Sequence, residues 1–144
     1  MNEDIIYSLI GKTINFTRLA GNSLIIYLDC IPGEDKGYSI WLEPTWHLHD
    51  ESKVIIGSRQ LQIEDEKELV LISKPLNDLI LKQIKGIEIN SISKDLTVII
   101  DQYYLKSFVA DPTDEYIWQI RDIGNKKMIE ANTDAINLRD YSEE

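Results

Sequence analysis

The sequence has little of what ties a chain to an oxidising compartment, a membrane or a nucleic acid. One cysteine, Cys30, stands among 144 residues. No disulfide can close within the chain, so the framework of small secreted domains is excluded. Cys30 ends the apolar run that begins at Leu24, with Asp29 and Ile31 beside it. Neither neighbour would activate a thiolate, and the residue reads as a small buried hydrophobe. No apolar run approaches the roughly 20 residues of a membrane span. Met1-Asn2-Glu3-Asp4 is acidic where a secretory leader is basic. The expectation is a cytoplasmic protein.

Basic residues are also short. Fifteen Lys and Arg face 25 Asp and Glu, a net charge of −10 with a pI near 4.6. The excess is even along the chain, with 7 basic against 12 acidic residues over 1–74 and 8 against 13 over 75–144. Such a chain lacks the cations that displace counterions from nucleic acid or dock on anionic lipid. It suits a basic partner, whose approach a complementary field would speed.

The motifs of common chemistries are missing too. There is no phosphate loop and no dinucleotide fingerprint. Gly57-Ser58 lies in no Gly-x-Ser-x-Gly elbow. Asp111, Asp114 and Glu115 lack the spacing of a calcium loop. The only histidines, His47 and His49, alternate as a strand pair facing one side. A third ligand is not evident, so neither metal nor cofactor is expected.

What is present is a globular composition, 43% hydrophobic and 28% charged, enough for one domain over residues 1–144 with a real core. A first helix is expected on Ile5, Ile6, Leu9 and Ile10, capped by Asn2 and stopped by Gly11. Strands are expected at 13–19, 23–30, 38–42, 46–49 and 54–56. A second helix, opened by Pro75 and closed by Gly86, would carry the stripe Leu76, Leu79, Ile80, Ile84. Strands follow at 87–92, 96–100, 104–109, 116–121 and 127–131. The acidic stretch Glu64 to Glu68 reads as a solvated face, and the polar tail 132–144 as loose.

Two passages share an order of features. Gly11 matches Gly86, Asn15 matches Asn90, Asp29 matches Asp101, and Ile40-Trp41 matches Ile117-Trp118. An internal repeat over approximately 3–58 and 75–131 is expected on this basis. The fold class expected is α+β: a mostly antiparallel curved sheet or open barrel built from two related helix-plus-strands halves. Trp41 and Trp118 would pack in the core, with Trp46 partly exposed beside Pro44.

The pattern resembles a widespread group of small uncharacterised bacterial α+β proteins. The residues that match are Ile40-Trp41, Trp46-His47-Leu48 and Ile55-Ile56-Gly57-Ser58. In the second half they are Asp95-Leu96-Thr97-Val98, Leu105 with Phe108, and Tyr116 with Trp118. An Arg often follows the second tryptophan in that group, where this chain has His47. The group is immunity-protein-like and associated with polymorphic toxins, and it transfers no catalytic residues. The resemblance implies a non-enzymatic protein-binding module, an immunity protein or antitoxin that neutralises a toxin by direct binding. The alternative is a small-molecule-binding barrel or an enzyme with an unrecognised site. The expected partner is a protein, such as a basic toxin domain. The expected contact residues are Glu34, Asp35, Trp46, Tyr104, Asp111, Asp114 and Glu115, with the two acidic loops in equivalent positions of the repeat.

Overall fold

A computed structural model of the chain describes residues 2–109, 113 and 116–141. Short helix α1 (Asn2–Ser8) leads into β1 (Ile14–Ala20), β2 (Ser23–Leu28), β3 (Tyr38–Leu42), β4 (Trp46–His49) and β5 (Val54–Gly57). A 3-10 turn (Ser58–Leu61) and helix α2 (Glu66–Asn77) follow. The chain then runs through β6 (Ile84–Ile89), β7 (Leu96–Ile100), β8 (Tyr103–Ser107), β9 (Trp118–Asp122), β10 (Lys127–Ala131) and β11 (Ile136–Asp140). No helix among the described residues is long and apolar enough to cross a membrane.

The strands form two antiparallel sheets. Sheet 1 has the order β1-β2-β3-β9-β10-β11, and sheet 2 the order β5-β4-β8-β7-β6. This overturns the α+β expectation. The molecule is largely a β-sandwich with two short helices, and it does not close into a barrel. Nor are there separate helix-plus-strands halves, because each half of the chain divides between the sheets. β1 to β3 lie in sheet 1 and β4 and β5 in sheet 2; β6 to β8 lie in sheet 2 and β9 to β11 in sheet 1. Alternation drives the packing, since side chains along a strand point to opposite faces. Leu24, Ile26 and Leu28 of β2 face inward, as do Leu96, Val98 and Ile100 of β7, and all six are fully buried in one core.

The long-range backbone hydrogen bonds come in related pairs. Gly11 N donates to Ile84 O (2.8 Å), and Leu81 N to Ile14 O (2.7 Å). Ile14 N donates to Lys82 O, and Ile84 N to Lys12 O. At the crossings between sheets, Glu43 N donates to Ile117 O and Phe108 N to Thr45 O. The indole N–H of Trp46 donates to Asn22 O and that of Trp118 to Lys94 O, both at 2.8 Å. Each of these indoles ties the start of a strand to the hairpin turn of the opposite sheet.

These pairs correct the register expected from sequence. Gly11 corresponds to Leu81, not to Gly86, which lies inside β6 against Ile99. Trp46, not Trp41, corresponds to Trp118. Both are buried, at 1% and 0% exposure. Trp41 points out of the sandwich instead. Asp29 and Asp101 do hold related places, with φ of 55° and 51° at the ends of β2 and β7.

Three further expectations change. Helix α2 begins at the acidic stretch, where Asp65 accepts from Lys67 N (2.9 Å) and Glu68 N (3.3 Å). Glu66 and Glu68 then sit in the first turn, where the helix dipole favours negative charge. Pro75 falls in its last turn rather than its first, and Ile84 belongs to β6. The tail is not all loose: β11 pairs with β10 from Lys127↔Asp140 to Ala131↔Ile136.

Candidate functional site

The two outer faces of the sandwich are the surfaces on which strands present side chains, and they differ. On sheet 1 one row across the strands reads Arg18, Ile25, Trp41, Gln119, Glu130, Asn137. Although these residues point outward, Ile25 is only 1% exposed, as is Met128 in the adjoining row. The long side chains around them are tied to one another along the face. Arg139 Nε donates to Glu130 at 2.7 Å, Arg121 donates to Gln119 at 3.5 Å, and the Arg121 guanidinium lies 4.9 Å from the Tyr141 ring centre. The ring N–H of Trp41 and Nε of Arg121 are buried within this layer and find no hydrogen-bond partner among the described residues.

Sheet 2 is open. One row reads Glu88, Thr97, Lys106, His47, Gly57, and the next Gly86, Ile99, Tyr104, His49, Val54. Two of these places are glycine, although the Ile99 side chain lies over Gly86. Two depressions of about 360 and 550 Å³ share Lys106 and Phe108 as lining residues. The first lies at the ends of β6, β7 and β8, and the second, on the outer face over β5, β4 and β8, is the groove.

The floor of the groove is a run of four rings. His47 lies 4.8 Å from Phe108, and the two histidines are edge-on with centres 5.3 Å apart. His49 stacks on Tyr104 at 4.9 Å and 12°. All four rings are half-buried, so each offers an apolar surface while staying reachable. His49 Nδ1 sits 2.6 Å from the carbonyl oxygen of Asp50. A carbonyl only accepts, so Nδ1 carries the proton. Burial pushes the pKa of His47 down, reinforced by His49 and by Lys106. At the rim, the Asp50 carboxylate is held below its usual range by the N–H groups of Ser52 and Lys53 and by the Ser52 hydroxyl.

The expected contact residues do not form one site. Tyr104 lies in the groove. Trp46 points into the core and cannot anchor a partner. Asp35 is exposed and Glu34 half-buried in the β2–β3 loop, where Glu34 accepts from Ile31 N and pairs with Lys36. Asp111, Asp114 and Glu115 lie outside the described residues. The loop 31–37 enters β3 at Tyr38, which pairs with Asp122, at the end of the β3–β9 pair away from Trp118.

His47, His49, Lys106 and Phe108 as one surface were not expected from sequence. Alternation alone places each outward on its own strand. Only the β4–β8 register, Trp46↔Ser107 to His49↔Tyr104, brings them together. Among the described residues no group of three or more His, Cys, Asp or Glu is placed to hold a metal ion. Compared with protein-family models, curated proteins and solved structures, the chain matches none.

Proposed function

We propose that the protein is a non-enzymatic binding module that docks another protein on the outer face of sheet 2, and that it acts as an immunity protein, covering a basic toxin domain. The observation that carries the docking reading is the row Phe108, His47, His49, Tyr104, a preformed floor of rings in an open groove. Aromatic anchors in the centre of a desolvated contact supply most of the energy of protein association. Their placement on central strands keeps the ordering cost of binding low. The net charge of −10 supports a basic partner through steering, and Glu34 and Asp35 add to that field from a distance.

The test is affinity capture from the source cells followed by mass spectrometry, using wild type, a Tyr104→Ala/Phe108→Ala groove variant and an Arg139→Ala variant on sheet 1. A basic protein held by wild type and Arg139→Ala but lost from the groove variant is the expected result. Suppression of that protein's toxicity on co-expression would complete the immunity reading. Equal retention by the groove variant would move the contact elsewhere.

A further inference from the structure

We propose that His47 and His49 form a two-imidazole site for one divalent transition-metal ion, such as Zn²⁺ or Ni²⁺, whose other coordination positions face the groove. The inference does not depend on the docking reading. The two residues alternate on β4 and project from the same face. Their ring centres are 5.3 Å apart. A tetrahedral ion bonded to one nitrogen of each ring, with the usual zinc–nitrogen bond, holds two imidazole centres about 5 Å apart. The strand has therefore already set the spacing.

The hydrogen bonding suits a ligand pair. Histidine ligands commonly give their second nitrogen to a carbonyl or carboxylate, which fixes the tautomer and raises the basicity of the ligating nitrogen. His49 makes that bond from Nδ1 to Asp50 O, leaving Nε2 free. No hydrogen bond engages either nitrogen of His47 among the described residues. Neutral imidazole is the form that binds metal. Lys106, across the β4–β8 pair from His47, opposes a cation, while Asp50 and Glu51 line the same depression and favour one. With two protein ligands the site is open, and water or a group carried by a bound partner fills the rest.

Titration calorimetry of tag-free protein with ZnCl₂ and with NiCl₂ at pH 7.5 tests this directly. The expected result is one ion per chain in the micromolar range. His47→Gln and His49→Gln should each weaken it by at least about tenfold, the loss that even an outer-shell change at a metal site produces. Lys106→Gln should tighten it by removing the opposing charge. Circular dichroism confirms that each variant is folded, and Ni²⁺ should broaden the imidazole NMR signals of both histidines before any other. Binding only at millimolar ion, or binding unchanged in the double variant, overturns the site. So does zinc-dependent dimerisation with one ion per two chains.

Discussion

The two sheets share a plan and are finished differently. Ile25 of β2 pairs with Trp41, which pairs with Gln119; Thr97 of β7 pairs with Lys106, which pairs with His47. These two rows hold related places in the sandwich. In sheet 1 the row carries an indole and arginine-rich neighbours that close over an aliphatic floor. In sheet 2 it carries a threonine and a lysine, with glycine at Gly57 and Gly86, and the face stays open. One framework thus supports a sealed surface on one side and an open one on the other. Three of the chain's four arginines, Arg18, Arg121 and Arg139, stand on the sealed face. Long stems cover apolar surface while their charged heads reach water.

The largest expected effect separates the two faces. Ile25→Ala should cost about 2–5 kcal/mol, the loss typical of a core position, because Ile25 is buried although it points outward. Thr97→Ala, at the related half-buried place in sheet 2, should cost no more than about 1 kcal/mol, the span of strand propensity. Urea denaturation of both variants measures the difference. Equal costs would show that sheet 1 is no more closed than sheet 2.

A smaller effect separates the related positions Gly11 and Leu81. Gly11 has φ of 88° and Leu81 has φ of 75°, and Leu81 is 76% exposed. A left-handed conformation costs a residue with a Cβ roughly 1–2 kcal/mol relative to one without. Leu81 recovers little of that by burial. Leu81→Gly should therefore stabilise the protein by about 1 kcal/mol, with part of the gain offset by the looser unfolded chain. An unchanged or lowered melting temperature would mean that the leucine makes a contact that outweighs its backbone strain.

The smallest effect tests the open face by pH. His47 has a folded pKa below its unfolded value, so in acid the unfolded chain takes up the proton first. Above pH 7 both states are neutral and the residue contributes no pH dependence. As pH falls through about 6.5, the unfolded imidazole value, stability should decline, and it should go on declining until the folded pKa is passed. His47→Gln should flatten that part of the profile while leaving stability at pH 8 nearly unchanged. Denaturation curves at pH 8 and pH 5.5 for both proteins provide the measurement. Parallel profiles would place His47 in a more solvated setting than the groove gives it.

Much of the strand content is legible in the sequence, because alternation and turn residues mark β2, β3, β4, β7 and β10 locally. The second helix is misread because Pro75 serves equally as an opening or a late residue, and because a charged stretch reads as solvated whether or not it starts a helix. Asp65 settles that point only once its carboxylate is seen to accept from Lys67 and Glu68. The candidate site is legible only in pieces. His47-x-His49 is visible as a pair, and Tyr104, Lys106 and Phe108 as another alternating set, more than fifty residues further along the chain. Nothing local says that β4 lies beside β8.

The sequence by itself determined the acidic charge, the absence of a disulfide, the apolar periodicity of most strands and the two-sided character of each. Those are properties of neighbours along the chain. Tertiary structure alone decided which sheet each strand joins, that Trp46 rather than Trp41 fills the core, and that β11 adds an edge to sheet 1. It also decided that one outer face closes and the other opens. The physical reason is that strand pairing is set by hydrogen bonds between distant segments, and a shift of one residue in register exchanges the buried face for the exposed one.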